Sequence, residues 1–255
     1  MDKPSKFTDS AGVPWQGRSL KDNPHAGDDG TADQLLIESL NNLRSGSGSV
    51  EGVIQALANA RLLVPLVAHL GESEVTEQGL KVDKSAELSI VTVQAPDGQN
   101  ALPVFSSVQA MALWNSAARP VPNSVRNIAL AAASEGNTRI VLDPMSETEF
   151  VVRRPAIAAI AQGFKWQPPE KNLDVQKIVA ETLGEFPQVL RFDLSSGDPN
   201  YRLEGQELKI QIYMRLGLQP SELKQIENEF FRKLADHERF VELVDSVAVR
   251  FLAAN

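Results

Sequence analysis

Arg153 and Arg154 carry the strongest chemical signal in the chain. Guanidinium forks recognise carboxylate or phosphate, and these two stand directly ahead of Pro155, which opens a helix where its missing N–H costs nothing. A helix start also offers unpaired backbone N–H groups, so the three features together predict a contact for an anion or for an acidic segment of a partner. The plainer reading is a solvated strand end. Ser106 and Ser107 are the hydroxyls placed best for a nucleophile. No G-x-S-x-G elbow surrounds them, and capping of a helix that starts at Val108 is the stronger reading. Asp143-Pro144 sets a carboxylate at a strand end, where α/β proteins often place ligands, but Asp-Pro more often makes a turn. His69 ends an apolar strand with Glu72 and Glu74 close in sequence, a combination that suits a general base; a lone strand-end histidine is the commoner case. His25 lies near the N-terminus, and His237 sits at a helix end where an imidazolium complements the dipole. Histidines so scattered assemble no metal site. The expectation is no catalytic residue, no cofactor and no metal.

Composition narrows the classes further. At 255 residues the chain has room for one large domain or two small ones. A net charge of −8 argues against broad nucleic-acid binding, which needs a basic footprint. The absence of cysteine excludes structural disulfides, thiolate zinc sites and cysteine catalysis, and agrees with a reducing cytoplasm. Met1-Asp2-Lys3-Pro4 leads into polar residues rather than an apolar core, so no secretory leader is expected. The longest apolar run, Leu62 to Ala68, contains Pro65 and is too short for a bilayer. The expected location is cytoplasmic, without membrane contact. The expected partner is another protein, with oligomeric state left open.

These groups need elements to position them. Residues 1–30 are rich in Pro, Gly, Asp and Ser without apolar period and read as a disordered tail, in which Trp15 and Leu20 are the docking candidates. Leu35, Leu36, Leu40 and Leu43 share a helical face that Ser45-Gly46-Ser47-Gly48 ends. Val50, Val53, Ile54 and Leu57 mark a second amphipathic helix. Arg61 to Ala68 reads as a buried strand and Gly71 to Ser85 as a long polar loop. Leu88, Ile90 and Thr92 alternate as a strand, Pro96-Asp97-Gly98 turns, and Leu102 to Phe105 returns. Helices follow over Val108–Trp114, with Val108, Met111, Ala112 and Trp114 on one side, and over Val125–Ala133. Arg139–Leu142 and Phe150–Val152 form a hairpin around Asp143-Pro144. A short helix runs from Pro155 to Gly163.

Trp166-Gln167-Pro168-Pro169 is the expected boundary, since two prolines forbid a helix through it. Beyond it come a helix around Val175–Leu183, alternating strands over Leu190–Leu194 and Leu208–Met214 that suit an antiparallel sheet, a long helix from Pro220, and a last strand over Val247–Phe251. The fold class expected is α+β: two small domains, over 31–165 and 172–255, each with a mixed or antiparallel sheet covered by helices.

Val64-Pro65-Leu66, the block Leu102-Pro103-Val104-Phe105-Ser106-Ser107 with Trp114, and Ile140-Val141-Leu142-Asp143-Pro144 together resemble the N-terminal domain of the SseB family, named for enhanced serine sensitivity. Arg153-Arg154-Pro155-Ala156 through Gly163, with Trp166 and the two prolines, looks like the actinobacterial type. The resemblance covers roughly Leu35 to Pro169, and the second half has the place and rough pattern of the family's C-terminal domain. It implies the fold and no catalytic residue set, because the name records a phenotype rather than a mechanism. The function expected is a non-enzymatic accessory role through protein–protein contact. The alternatives are a small-molecule sensor or enzyme linked to serine or amino-acid metabolism, and a translation-associated accessory protein.

Overall fold

A computed structural model describes residues 27–69, 87–95 and 97–253. The expected tail up to Ala26, with Trp15, Leu20 and His25, lies outside the described residues, as do Glu72, Glu74 and the expected loop. The chain folds as α+β.

Two capped helices come first, α1 (Gln34–Arg44) and α2 (Val50–Asn59). Asp33 accepts the N–H of Leu36, and Ser49 that of Gly52, so each helix start has a side-chain oxygen for an orphan donor. Leu36 and Leu40 are buried, whereas Leu35 points to solvent at 69 % exposure and leaves the face predicted for it. Then follow β1 (Arg61–His69), β2 (Glu87–Ile90), β3 (Val93–Gln94), β4 (Asn100–Val104), α3 (Val108–Trp114), β5 (Arg119–Ser124), α4 (Val125–Ser134), β6 (Arg139–Leu142), β7 (Phe150–Arg153) and α5 (Arg154–Gln162). One sheet runs β2-β1-β5 and the other β3-β4-β6-β7. The return strand β4 therefore pairs with β3, while β2 pairs with β1 and stops before Thr92. On α3, Met111 is buried and Trp114 packs on Phe105, but Val108 and Ala112 face solvent, which narrows the expected apolar side.

Prolines dictate how the first sheet is bonded. Opposed residues in an antiparallel pair alternate between hydrogen-bonded and non-bonded positions. Pro65 stands opposite Pro120, and Leu63 opposite Pro122. None of these prolines donates, so the pair is held through the alternate positions, Leu62 with Asn123, Val64 with Val121 and Leu66 with Arg119. That parity turns the backbone of Leu63 to its other side, where it exchanges bonds of 2.8 and 2.9 Å with Phe105 and joins the two sheets. Pro120 and Pro122 turn their missing donors outward, which blunts the β5 edge against pairing with another chain. Strand β5 was not expected, because its Arg-Pro-Val-Pro sequence lacks any strand pattern.

After a single 3-10 turn (Pro169–Lys171) the second half contains α6 (Leu173–Gly184), β8 (Val189–Ser196), β9 (Leu208–Met214), α7 (Pro220–Ala235), α8 (Glu238–Leu243) and β10 (Val247–Ala253). The order is β10-β9-β8, with β8 antiparallel to β9 and β10 parallel to it. The sheet is mixed because two helices cross between β9 and β10, the length a parallel return needs. His237 caps the start of α8, its Nδ1 accepting the Phe240 N–H at 3.4 Å. It also follows directly on the end of α7, the helix end expected for it, where its backbone N–H donates to the Leu234 carbonyl at 3.2 Å.

Each half packs its own core. One gathers Leu36, Leu57, Leu62, Leu102, Ile128, Ile140 and Phe150, the other Val175, Val179, Ile210, Ile212, Phe230 and Leu234. Tyr201, from the second half, belongs to the first core.

Candidate functional site

Arg153 ends β7, and Arg154 begins α5. The hairpin register sets Arg153 opposite Arg139, the first residue of β6. Like charges directly opposed destabilise a sheet unless acids come between them. Asp245, in the link between α8 and β10, supplies that acid. Arg139 donates to it from Nη1 at 2.8 Å and Nη2 at 2.7 Å, a two-pronged pair, and Arg153 reaches the same carboxylate at 3.4 Å. Asp97, from the β3–β4 turn, takes Nε and Nη2 of Arg139 at 3.1 and 3.0 Å. Asp198 takes Nη2 of Arg153 at 2.6 Å, beside the Gly205 carbonyl and the Ser246 hydroxyl. Arg154 donates from Nη2 to the carbonyls of Val241 and Val244, where α8 ends.

These contacts fix what the arginines do. The side chains of Arg139 and Arg153 are 6 % and 4 % exposed, and those of Asp245 and Asp198 are 4 % and 1 %. Arg153 faces carboxylates of its own chain rather than an outside anion; only Arg154, 37 % exposed, borders solvent. The solvated strand end is equally absent at Arg153. All the acids involved except Asp97 lie in the second half, so this network joins the halves. Breaking such a buried pair leaves an uncompensated charge and costs about 3–5 kcal/mol.

The β8–β9 loop, Gly197–Glu207, is built to reach across. The Asp198 carboxylate accepts the backbone N–H groups of Arg202, Leu203 and Glu204 and so winds the loop around itself. Tyr201 and Leu203 adopt the left-handed conformation, with φ of 53° and 61°. Gly197 and Gly205 cross so closely that a Cβ on either would strike a backbone carbonyl of the other arm. At the tip, the Tyr201 carbonyl accepts Val151 N–H at 2.7 Å and its ring stacks on Phe150 at 5.3 Å. Glu207 closes the loop, accepting the Asp245 N–H at 2.6 Å. Burial first, and then the Asp245 charge, push its carboxyl up to about 7, against the pull of that N–H and of Arg153 and Arg139. A polar cleft of about 510 Å³ opens beside the network, lined by Asp97, Gln99, Thr138, Arg139, Arg154 and Gln206 among others.

A second polar cluster explains the serines. Strands β4 and β6 run parallel, Leu102 beside Ile140 and Val104 beside Leu142, which delivers Ser106 to Asp143. Asp143, left-handed at φ 45° and 1 % exposed, accepts Ser106 N and Oγ, both at 2.7 Å, and Thr148 Oγ1 at 2.8 Å. Ser107 caps α3 by accepting Ala110 N–H at 3.1 Å. Ser106 thus meets the Asp143 carboxylate, and among the described residues no histidine or lysine hydrogen-bonds to its hydroxyl. His69 closes β1, away in sequence from this cluster.

Sequence reasoning singled out Arg153, Arg154, Asp143 and both serines but missed Arg139, Asp198, Glu207 and Asp245. A signal existed for Arg139, since a hairpin centred on Asp143-Pro144 pairs it with Arg153. None existed for Asp245, one acid among 33. Among the described residues, no cluster of three His, Asp or Glu side chains is placed to hold a metal, and no helix is long and apolar enough to cross a membrane.

The arrangement is that of an α+β protein whose sheet motifs and charged junction organise loops. Residues 36–159 match the family model described as SseB protein N-terminal domain. The match begins in α1 and ends in α5, so it holds the Ser106–Asp143 cluster, Arg139, Arg153 and Arg154, while Asp198, Glu207 and Asp245 lie beyond it. No curated protein and no solved structure matches the chain.

Proposed function

We propose that this chain is a non-enzymatic cytoplasmic accessory protein, of the actinobacterial type of the family its first half resembles, and that it acts through contact with another protein. The observation that supports the reading is the commitment of its most reactive-looking groups to internal bonds. Ser106 and Asp143 fix each other, Ser107 caps a helix, and Arg139 and Arg153 are neutralised across the two halves. Groups so engaged hold a surface in shape. The division into a unit over 31–165 and one over 172–255, clasped at the junction, is part of the same proposal.

Three apolar side chains outside the cores are the places to look for the partner: Leu113 at 86 %, Met145 at 89 % and Phe164 at 69 % exposure. A photo-crosslinking amino acid placed at each in turn, in the native host, tests the reading. The expected result is one protein crosslinked reproducibly from at least one position. Turnover of a small molecule by the purified chain, lost in Ser106→Ala while the melting temperature holds, would overturn it.

A further inference from the structure

Arg44 and Arg202 are bonded differently from the junction arginines. Arg44 is the last residue of α1, and its Nη2 donates to the Glu149 carbonyl at 3.2 Å. Arg202, next to the tip of the β8–β9 loop, donates from Nη2 to the carbonyls of Ser146 and Glu147 at 3.2 and 3.1 Å. Both guanidiniums therefore converge on one short turn. Among the described residues neither has a carboxylate oxygen within ion-pairing distance, whereas Arg139 and Arg153 have two carboxylates each. The nearby acids are held elsewhere: Glu149 accepts Met145 N–H, and Glu204 accepts the Asn200 amide. Burial first, and then the positive charge of Arg202, lower the Arg44 pKa, against smaller opposing effects of Glu147, Glu149 and Asp143.

Between the two arginines lies a pocket of about 370 Å³. Leu43 and Pro199 give it accessible apolar surface over a floor of Leu40 and Phe150, both almost fully buried, and Asn200 and Glu204 complete the loop side. Leu40 and Phe150 are core residues, so that floor is rigid. The volume falls within the range of small-molecule sites, and two guanidinium forks without an ion-pair partner among the described residues, beside an apolar wall, define the complement of one ligand type.

The geometry points to a binding site for a small amphipathic anion, with its carboxylate or phosphate between Arg44 and Arg202 and its apolar body against Leu43 and Pro199. The site lies at the α1 end and the loop tip, away from Leu113 and Phe164, while the turn that both arginines hold also carries Met145.

The test is titration of the full chain with hexanoate, hexyl phosphate, inorganic phosphate and hexanol, followed by amide NMR and calorimetry. Saturable binding of hexanoate or hexyl phosphate is expected, with hexanol and inorganic phosphate each at least about tenfold weaker, and whichever of the two anions binds more tightly names the headgroup. Arg44→Gln, at an exposed helix end, is expected to weaken binding about tenfold without moving the melting temperature, and Arg202→Gln to do the same. Equal affinity for hexanol, unchanged binding in folded Arg44→Gln, or no saturable binding of either amphipathic anion at millimolar concentration would each overturn the assignment.

Discussion

Replacing Asp245 with Asn tests the junction with almost no change of shape. The wild-type carboxylate is 4 % exposed and takes two bonds from Arg139 and a longer one from Arg153, with Arg154 Nε at 4.0 Å. Asn keeps one acceptor and loses the charge. Bonds to a charged group contribute about 1.5–3 kcal/mol each, and breaking a buried pair costs about 3–5 kcal/mol. Two terms offset the loss. Arg139 keeps Asp97 and Arg153 keeps Asp198, and Glu207 ionises more readily once the Asp245 charge is gone. The net expectation is a loss of about 3 kcal/mol, or roughly 6–12 °C in melting temperature for a chain of this size. Urea unfolding at neutral pH should show the midpoint fall at constant slope. A cycle with Arg139→Gln should give a coupling of at least about 1 kcal/mol, because the second change finds the pair already broken. A loss below about 1 kcal/mol, or strictly additive effects, would refute the reasoning.

Asp143→Ala leaves Ser106 N–H buried without an acceptor and should cost about 3–5 kcal/mol in urea unfolding, while Asp143→Asn, which tolerates the left-handed backbone and still accepts from Ser106, should cost clearly less. Ser107→Ala removes the α3 cap and should lower stability by about 0.5–2 kcal/mol. Glu207 sets a pH dependence: its pKa rises from 4.5 unfolded to about 7 folded, so the native state binds the extra proton in that window. Its contribution is therefore complete below about 4.5 and lost as pH rises through about 7, a fall of about 3 kcal/mol at ~1.4 kcal/mol per pKa unit. Urea midpoints across that range should decline in the parent, and Glu207→Gln should flatten the decline.

Much of the fold was legible where pattern and punctuation agree. Val50, Val53, Ile54 and Leu57 gave α2, Asp143-Pro144 gave the β6–β7 hairpin, and Pro155 with Gly163 bounded α5. Strand β5 was not legible, because prolines at 120 and 122 make sense only once the parity of β1 is known. Leu35 and Val108 misled because an apolar residue beside a helical face is not on it. Of the site, a cap at Ser106 or Ser107 was legible, since a cap is a local interaction, and the structure places it at Ser107. Ser106 with Asp143 needed the parallel β4–β6 register, and Arg153 with Asp198 and Asp245 needed contacts across 45 and 92 residues, for which short-range pattern has no signal.

The most direct measurement of the central claim, that Arg139 and Arg153 serve an internal lock, is NMR of the arginine guanidinium groups during sulfate titration. In a lock, rotation about the Cζ–N bonds is slow. The account predicts separate, slowly exchanging Nη signals for Arg139 and Arg153 that do not move as sulfate is added. Averaged Nη signals, shifting with sulfate at either residue, would contradict it.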